Sequence, residues 1–120
     1  INSFSIRTTG LGIFPGDTPV IYIPVLRTPP LNQLHGKLHR DVSEMSSEMG
    51  LYYNPNMWLP HISLALGDTS REMLGPVLSF LCNYNFNWEI NIDNITLLEK
   101  CGDYFLKKDE YKLGRHELIE

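Results

Sequence analysis

In the stretch Pro60-His61-Ile62-Ser63-Leu64-Ala65-Leu66, apolar side chains recur at every second position from Ile62 onward. Side chains two apart on a strand point the same way. The spacing therefore predicts a strand with Ile62, Leu64 and Leu66 on a core face and His61, Ser63 and Ala65 on the other. A purely structural face exposed to water more often carries Lys, Glu or Thr. An imidazole, a hydroxyl and a small residue suit the floor of a cleft. Just downstream, Thr69-Ser70-Arg71-Glu72 fits a capping box, in which a hydroxyl and a carboxylate satisfy orphan amides. A helix to about Asn83 is expected to follow, kinked or shortened at Pro76.

Upstream, Leu31, Leu34, Leu38, Val42, Met45 and Met49 recur at helical spacing and form one continuous apolar stripe, expected to be core. Thr28, Pro29 and Pro30 announce the start of this helix, and Gly50 is placed to end it. Residues 51–59 then read as a loop containing Tyr52, Tyr53 and Trp58. Further upstream, Phe4 to Thr8 alternates as a half-buried strand, broken by Gly10 and Gly12, and Pro15-Gly16-Asp17 signals a turn. Val20 to Leu26 is a nearly continuous apolar strand.

Toward the C-terminus Trp88, Ile90 and Ile92 alternate, continued by Ile95, Leu97 and Leu98 after an irregularity at Asp93-Asn94. Two short strands are expected to flank Lys108-Asp109, with Asp103, Lys107 and Lys108 read as turn residues. The order β-β-α-β-α-β-β predicts a single α+β domain over residues 1–120, an antiparallel or mixed sheet with two main helices on one face.

The bulk numbers agree with one folded domain: 120 residues, 42% hydrophobic and 20% charged. No apolar run reaches the roughly 18 residues of a membrane span, and the N-terminus has no signal-peptide pattern, so a cytoplasmic protein is expected. Cys82 and Cys101 match no metal-ligand spacing and read as reduced thiols. Ten scattered cationic residues are outnumbered by fourteen acidic ones, for a net charge of -4. Long nucleic acid demands a basic stripe that displaces counterions, so an RNA terminus or a small nucleotide fits better than a long duplex. The chain opens at Ile1 inside strand-like sequence, which reads as a piece of something longer.

Pro60-His61-Ile62-Ser63-Leu64-Ala65 resembles the second H-x-S/T signature of the 2H phosphoesterase superfamily, which includes 2′-5′ RNA ligase-like proteins and RNA 2′,3′-cyclic phosphodiesterases. Gly10-Leu11-Gly12-Ile13-Phe14-Pro15 is similar to the family's glycine-bounded strand ending in Phe-Pro. Val20-Ile21-Tyr22-Ile23 is similar to its next strand, with an aromatic where Tyr22 stands, and Leu31, Leu34-His35 and Leu38 resemble the helix after it. The resemblance implies much of a two-lobed fold lacking its N-terminal part. It also implies a phosphodiesterase that needs no metal or cofactor and uses two histidines, of which His61 is one, with Ser63 beside it.

The chemistry is coherent. In-line cleavage needs a base on the attacking oxygen and an acid on the leaving oxygen, and an ordinary imidazole, titrating near 6.5, serves either role. Hydroxyls beside the histidines can hold the non-bridging oxygens. Two departures stand out. The first H-x-S/T motif is expected upstream of Ile1, because none of His35, His39 or His116 is followed two residues later by Ser or Thr. Many bacterial members also carry Arg just after the second motif, where this chain has Leu66.

Other residues compete for roles. Tyr22 is placed to share the face of His61 and stack on an unpaired base, against the plainer reading of a half-buried strand tyrosine. Arg7 is a candidate phosphate contact, against a solvated arginine. Phe14 and Trp58 are candidates to border the pocket, but both are expected to pack. His35 and His39 have the i, i+4 spacing of a zinc pair but lack an evident third ligand. Three functional readings follow: an enzyme whose partner histidine lies outside this chain, a homodimer pairing two copies of His61, and a non-catalytic nucleotide- or RNA-binding module.

Overall fold

The computed structural model describes residues 1–45, 55–65 and 67–114. Over these residues it is an α+β protein of seven strands in antiparallel sheets and two helices. In chain order these are β1 (Phe4–Arg7), β2 (Gly12–Phe14), β3 (Val20–Pro24), α1 (Pro29–Met45), β4 (His61–Ala65), α2 (Arg71–Leu81), β5 (Glu89–Ile92), β6 (Asn94–Cys101) and β7 (Tyr104–Lys112). β1 neighbours β5, β2-β3-β4 form a three-stranded sheet, and β6 pairs with β7. The chain divides into two compact units, Ile6–Glu89 and Ile1–Ser5 with Ile90–Glu120.

In the larger unit, β3 is the central strand. Ile21 and Ile23 are fully buried while Tyr22 between them is only half-buried, the period of two that the sequence implied. Ile6, Val25 and Leu34 complete the core. Burial of a side chain the size of Ile contributes about 1.5–3 kcal/mol. Thr8 is buried and fully paired: its hydroxyl donates to the Phe86 carbonyl at 2.6 Å and accepts from the Trp88 amide at 2.8 Å.

Among its described side chains, the apolar stripe of α1 is core only toward its start. Leu34 is buried, but Leu38 and Val42 are exposed; Met49 lies outside the described residues. The 17-residue helix runs about 25 Å, longer than the about 17 Å of the five residues of β3.

α2 is capped by Ser70, whose hydroxyl accepts from the Met73 amide at 3.3 Å, one residue later than a Thr69 cap would stand. Thr69 is buried instead. The helix passes through Pro76 and reaches Leu81.

In the smaller unit, β6 and β7 form a hairpin closed at Gly102-Asp103. The two short strands expected around Lys108-Asp109 are one continuous strand, β7, in which Lys107 and Lys108 are not turn residues. Register steps from Leu97↔Asp109 to Leu98↔Lys107, leaving Lys108 as a one-residue bulge. The polar run there mimics a turn in sequence but pairs along its length. Cys82, the C-cap of α2, and Cys101, at the end of β6, are both free thiols.

Candidate active site

Register on the three-stranded sheet assembles the site. Gly12 pairs with Tyr22, and Tyr22 with Ser63. Paired residues in an antiparallel sheet share a face, so these three form a row across the strands. Pro24 pairs with His61 one step along, and Phe14 lies on the same face of β2. His61 and Ser63 are both exposed.

The predicted alternation of β4 holds only as far as Ser63. Pairing moves from Tyr22↔Ser63 to Ile21↔Ala65, so Leu64 is the extra residue of a bulge. Ala65 therefore shares the core face with Ile21, rather than the face of His61 where the alternation placed it. Leu64, expected in the core, is 43% exposed. Leu66 lies outside the described residues.

Three rings meet on this face. Phe14 and Tyr22 stack with centroids 4.2 Å apart, and the imidazole of His61 stands edge-on to both, at 5.1 Å from Phe14 and 5.5 Å from Tyr22. Gly12 makes this possible. A Cβ there would collide with the Tyr22 ring, which crosses β2 at that point.

The His61 imidazole has a defined polarity. Its Nδ1 lies 2.7 Å from the Leu59 carbonyl oxygen. A carbonyl only accepts, so Nδ1 carries a proton, and in the neutral ring Nε2 presents its lone pair. The loop behind is held by Arg27, which donates from Nε to Asn32 Oδ1 at 2.9 Å, from Nη1 to the Trp58 carbonyl at 3.4 Å and from Nη2 to the Pro55 carbonyl at 2.5 Å. His35 stacks flat on the Trp58 indole, 3.7 Å between centroids and 4° between planes. Burial first, then repulsion from His39 and Arg27, push the His35 pKa below 6.5.

Chain residues 1–103 match the family model of the 2'-5' RNA ligase superfamily. The chain belongs to that superfamily. Its α+β architecture is consistent with part of the 2H phosphoesterase fold of that superfamily, and membership supports a phosphoesterase or RNA ligase-like function in general. No curated protein and no solved structure matches the chain.

Against the superfamily's expectations the predicted residues fall into two groups. His61, Ser63 and Tyr22 share a face. Arg7 belongs to β1, outside that sheet, and its guanidinium pairs with Glu89 at 3.3 Å, both side chains being largely exposed.

Phe14 packs, stacked on Tyr22, and also stands beside His61; the period of two through Gly12 and Phe14 was the signal available for its face. The Leu59 carbonyl and the Arg27 clamp had none, because the acceptors on the loop (Pro55, Trp58 and Leu59) are main-chain carbonyls. Trp58 does pack, against His35. A cleft of about 300 Å³ lined by Ile13, Pro15, Gly16, Pro19, Arg71 and Leu74 lies elsewhere, since Ile13 pairs with Ile21 on the opposite face of the sheet. Among the described residues no group of three or more His, Cys, Asp or Glu is arranged to hold a metal ion, and no helix is long and apolar enough to cross a membrane.

Proposed function

We propose that this chain supplies one half of a metal-independent phosphodiesterase site acting on 2′,3′-cyclic phosphate or 2′-5′ linked nucleotides. The observation that carries this reading is the exposed His61 imidazole, fixed through Nδ1 with Nε2 free, on the same sheet face as the Ser63 hydroxyl and a stacked aromatic pair. In hydrolysis of a cyclic phosphate, the oxygen of water bonds to phosphorus and one ring P–O bond breaks. One histidine takes the water proton and the other delivers a proton to the departing ribose oxygen. Ser63 would hold a non-bridging oxygen, and Tyr22, backed by Phe14, would stack on a base. Arg7 is a phosphate contact in this reading only by exchanging its bond to Glu89.

The reading needs a second imidazole besides this His61, either from a longer polypeptide or from the His61 of a second copy of the chain. The half-buried stacked pair beside His61 also favours a second reading, a nucleotide-binding module without turnover. The test is hydrolysis of a nucleoside 2′,3′-cyclic phosphate in EDTA by the chain and by His61→Ala, alone and within any longer polypeptide that carries it. Turnover lost in the folded variant supports the enzyme. Nucleotide binding that persists in His61→Ala, with no turnover in any form, supports the binding module.

A further inference from the structure

We infer that Arg27 is a positioning residue that sets the tautomer of His61 without touching it. Three consecutive carbonyls precede the imidazole, and each has its own donor. Trp58 O accepts from Arg27 Nη1, Leu59 O from His61 Nδ1, and Pro60 O from the Val25 amide at 3.0 Å. The middle carbonyl is thus aimed by its two neighbours. Pro60 O is fixed by backbone pairing at the end of β3, which any sequence would supply. Trp58 O depends on one side chain.

Arg27 suits this role through its geometry. A guanidinium presents donors in a rigid planar fork. Here Nε is anchored on Asn32 in the first turn of α1, while Nη1 and Nη2 reach two carbonyls three residues apart, Trp58 and Pro55. The charge also sits 5.9 Å from the centroid of the Trp58 ring, whose flat contact with His35 holds the indole. A lysine ammonium could satisfy one of these acceptors but could not span all three. If Trp58 O is released, Leu59 O is free to rotate away from Nδ1. His61 then reverts toward the Nε2–H tautomer that a free histidine side chain prefers, and its lone pair turns away from the exposed side.

The functional consequence rests on the phosphodiesterase reading, but the structural claim does not. Long-range ¹H–¹⁵N NMR of the imidazoles at a pH above their titration reports which nitrogen carries the proton, without any substrate. Native protein is expected to show His61 protonated on Nδ1. Arg27→Lys, still folded by circular dichroism, is expected to show a substantial Nε2–H population, whereas Arg71→Lys, at an arginine that donates to the Gly16 carbonyl elsewhere, should leave the tautomer unchanged. Asn32→Ala, which frees only Nε, should move it the same way by less, and decides the matter if Arg27→Lys does not fold.

An unchanged Nδ1–H signal in a folded Arg27→Lys, or native His61 protonated on Nε2, overturns the inference. Where turnover is measurable, kcat should fall by up to ~100-fold with little change in KM. A shifted tautomer with no turnover in any form would sink the enzyme reading and leave the positioning intact.

Discussion

The two faces of the β2-β3-β4 sheet are made from alternate residues of the same strands, yet they serve opposite purposes. One carries Ile21 and Ile23, both fully buried, with Ala65 beside them. The other carries Gly12, Phe14, Tyr22, His61 and Ser63, exposed or half-buried. A one-residue change of register would exchange them, so the packing that stabilises the first face also orients the second. Substitutions on the two faces should therefore separate cleanly. His61→Ala is expected to lower turnover by ~10²–10⁴-fold, the usual worth of a positioned acid or base, with its melting temperature unchanged. Ile23→Ala is expected to cost about 2–5 kcal/mol of stability, measured by urea unfolding, with the His61 tautomer retained in the folded fraction. Equal destabilisation by both variants would break the comparison.

Most of this arrangement was legible because it rests on periodicity. The alternation through Ile21, Tyr22 and Ile23 placed Tyr22 opposite the core, and the start of β4 placed His61 and Ser63 together. What escaped were events that insert one residue without a local signature. The bulge at Leu64 turned Ala65 inward and Leu64 outward, and nothing in Ser-Leu-Ala-Leu marks it. The bulge at Lys108 hid β7 in the same way, since Lys107-Lys108-Asp109-Glu110 has the composition of a turn. Arg27 was invisible for a different reason. Its acceptors on the loop are carbonyls, which every residue has, so only the fold could show that they converge.

Gly12 sharpens the comparison with a smaller effect confined to the outer face. Its φ is not in the left-handed region, so Gly12→Ala suits the backbone, but the added methyl collides with the Tyr22 ring. The ring must leave its stack on Phe14, a pair worth about 0.5–1.5 kcal/mol. The expected result is a stability loss of that order, together with a several-fold rise in KM for a nucleoside cyclic phosphate and little change in kcat. Isothermal titration with a nucleoside monophosphate would show the same weakening as a shift in Kd. Affinity unchanged in the folded variant would mean that the aromatic pair is packing alone, and that the outer face recognises its ligand through His61 and Ser63.

The smallest effect concerns acid, and it tests the support beneath the outer face. His35 is stacked on Trp58 with its pKa held below 6.5, by burial before the repulsion of His39 and Arg27. Its Nδ1 is also shielded from solvent without a partner among the described residues, so protonation there would bury an unsatisfied donor. A histidine whose folded pKa is depressed binds fewer protons folded than unfolded. Its contribution is therefore whole above about 6.5 and is lost as the pH falls from there toward the lower folded value. His35→Phe keeps a flat ring on Trp58 and cannot titrate. The stabilities of the two proteins should run parallel above about pH 7 and converge or cross in the variant's favour below 6.5, measured by chemical unfolding across that range. Curves that stay parallel through the acid limb would mean that His35 accepts its proton without leaving the indole. The Arg27–Trp58–His35 contact would then be indifferent to charge, and the hold on Leu59 would be purely one of shape.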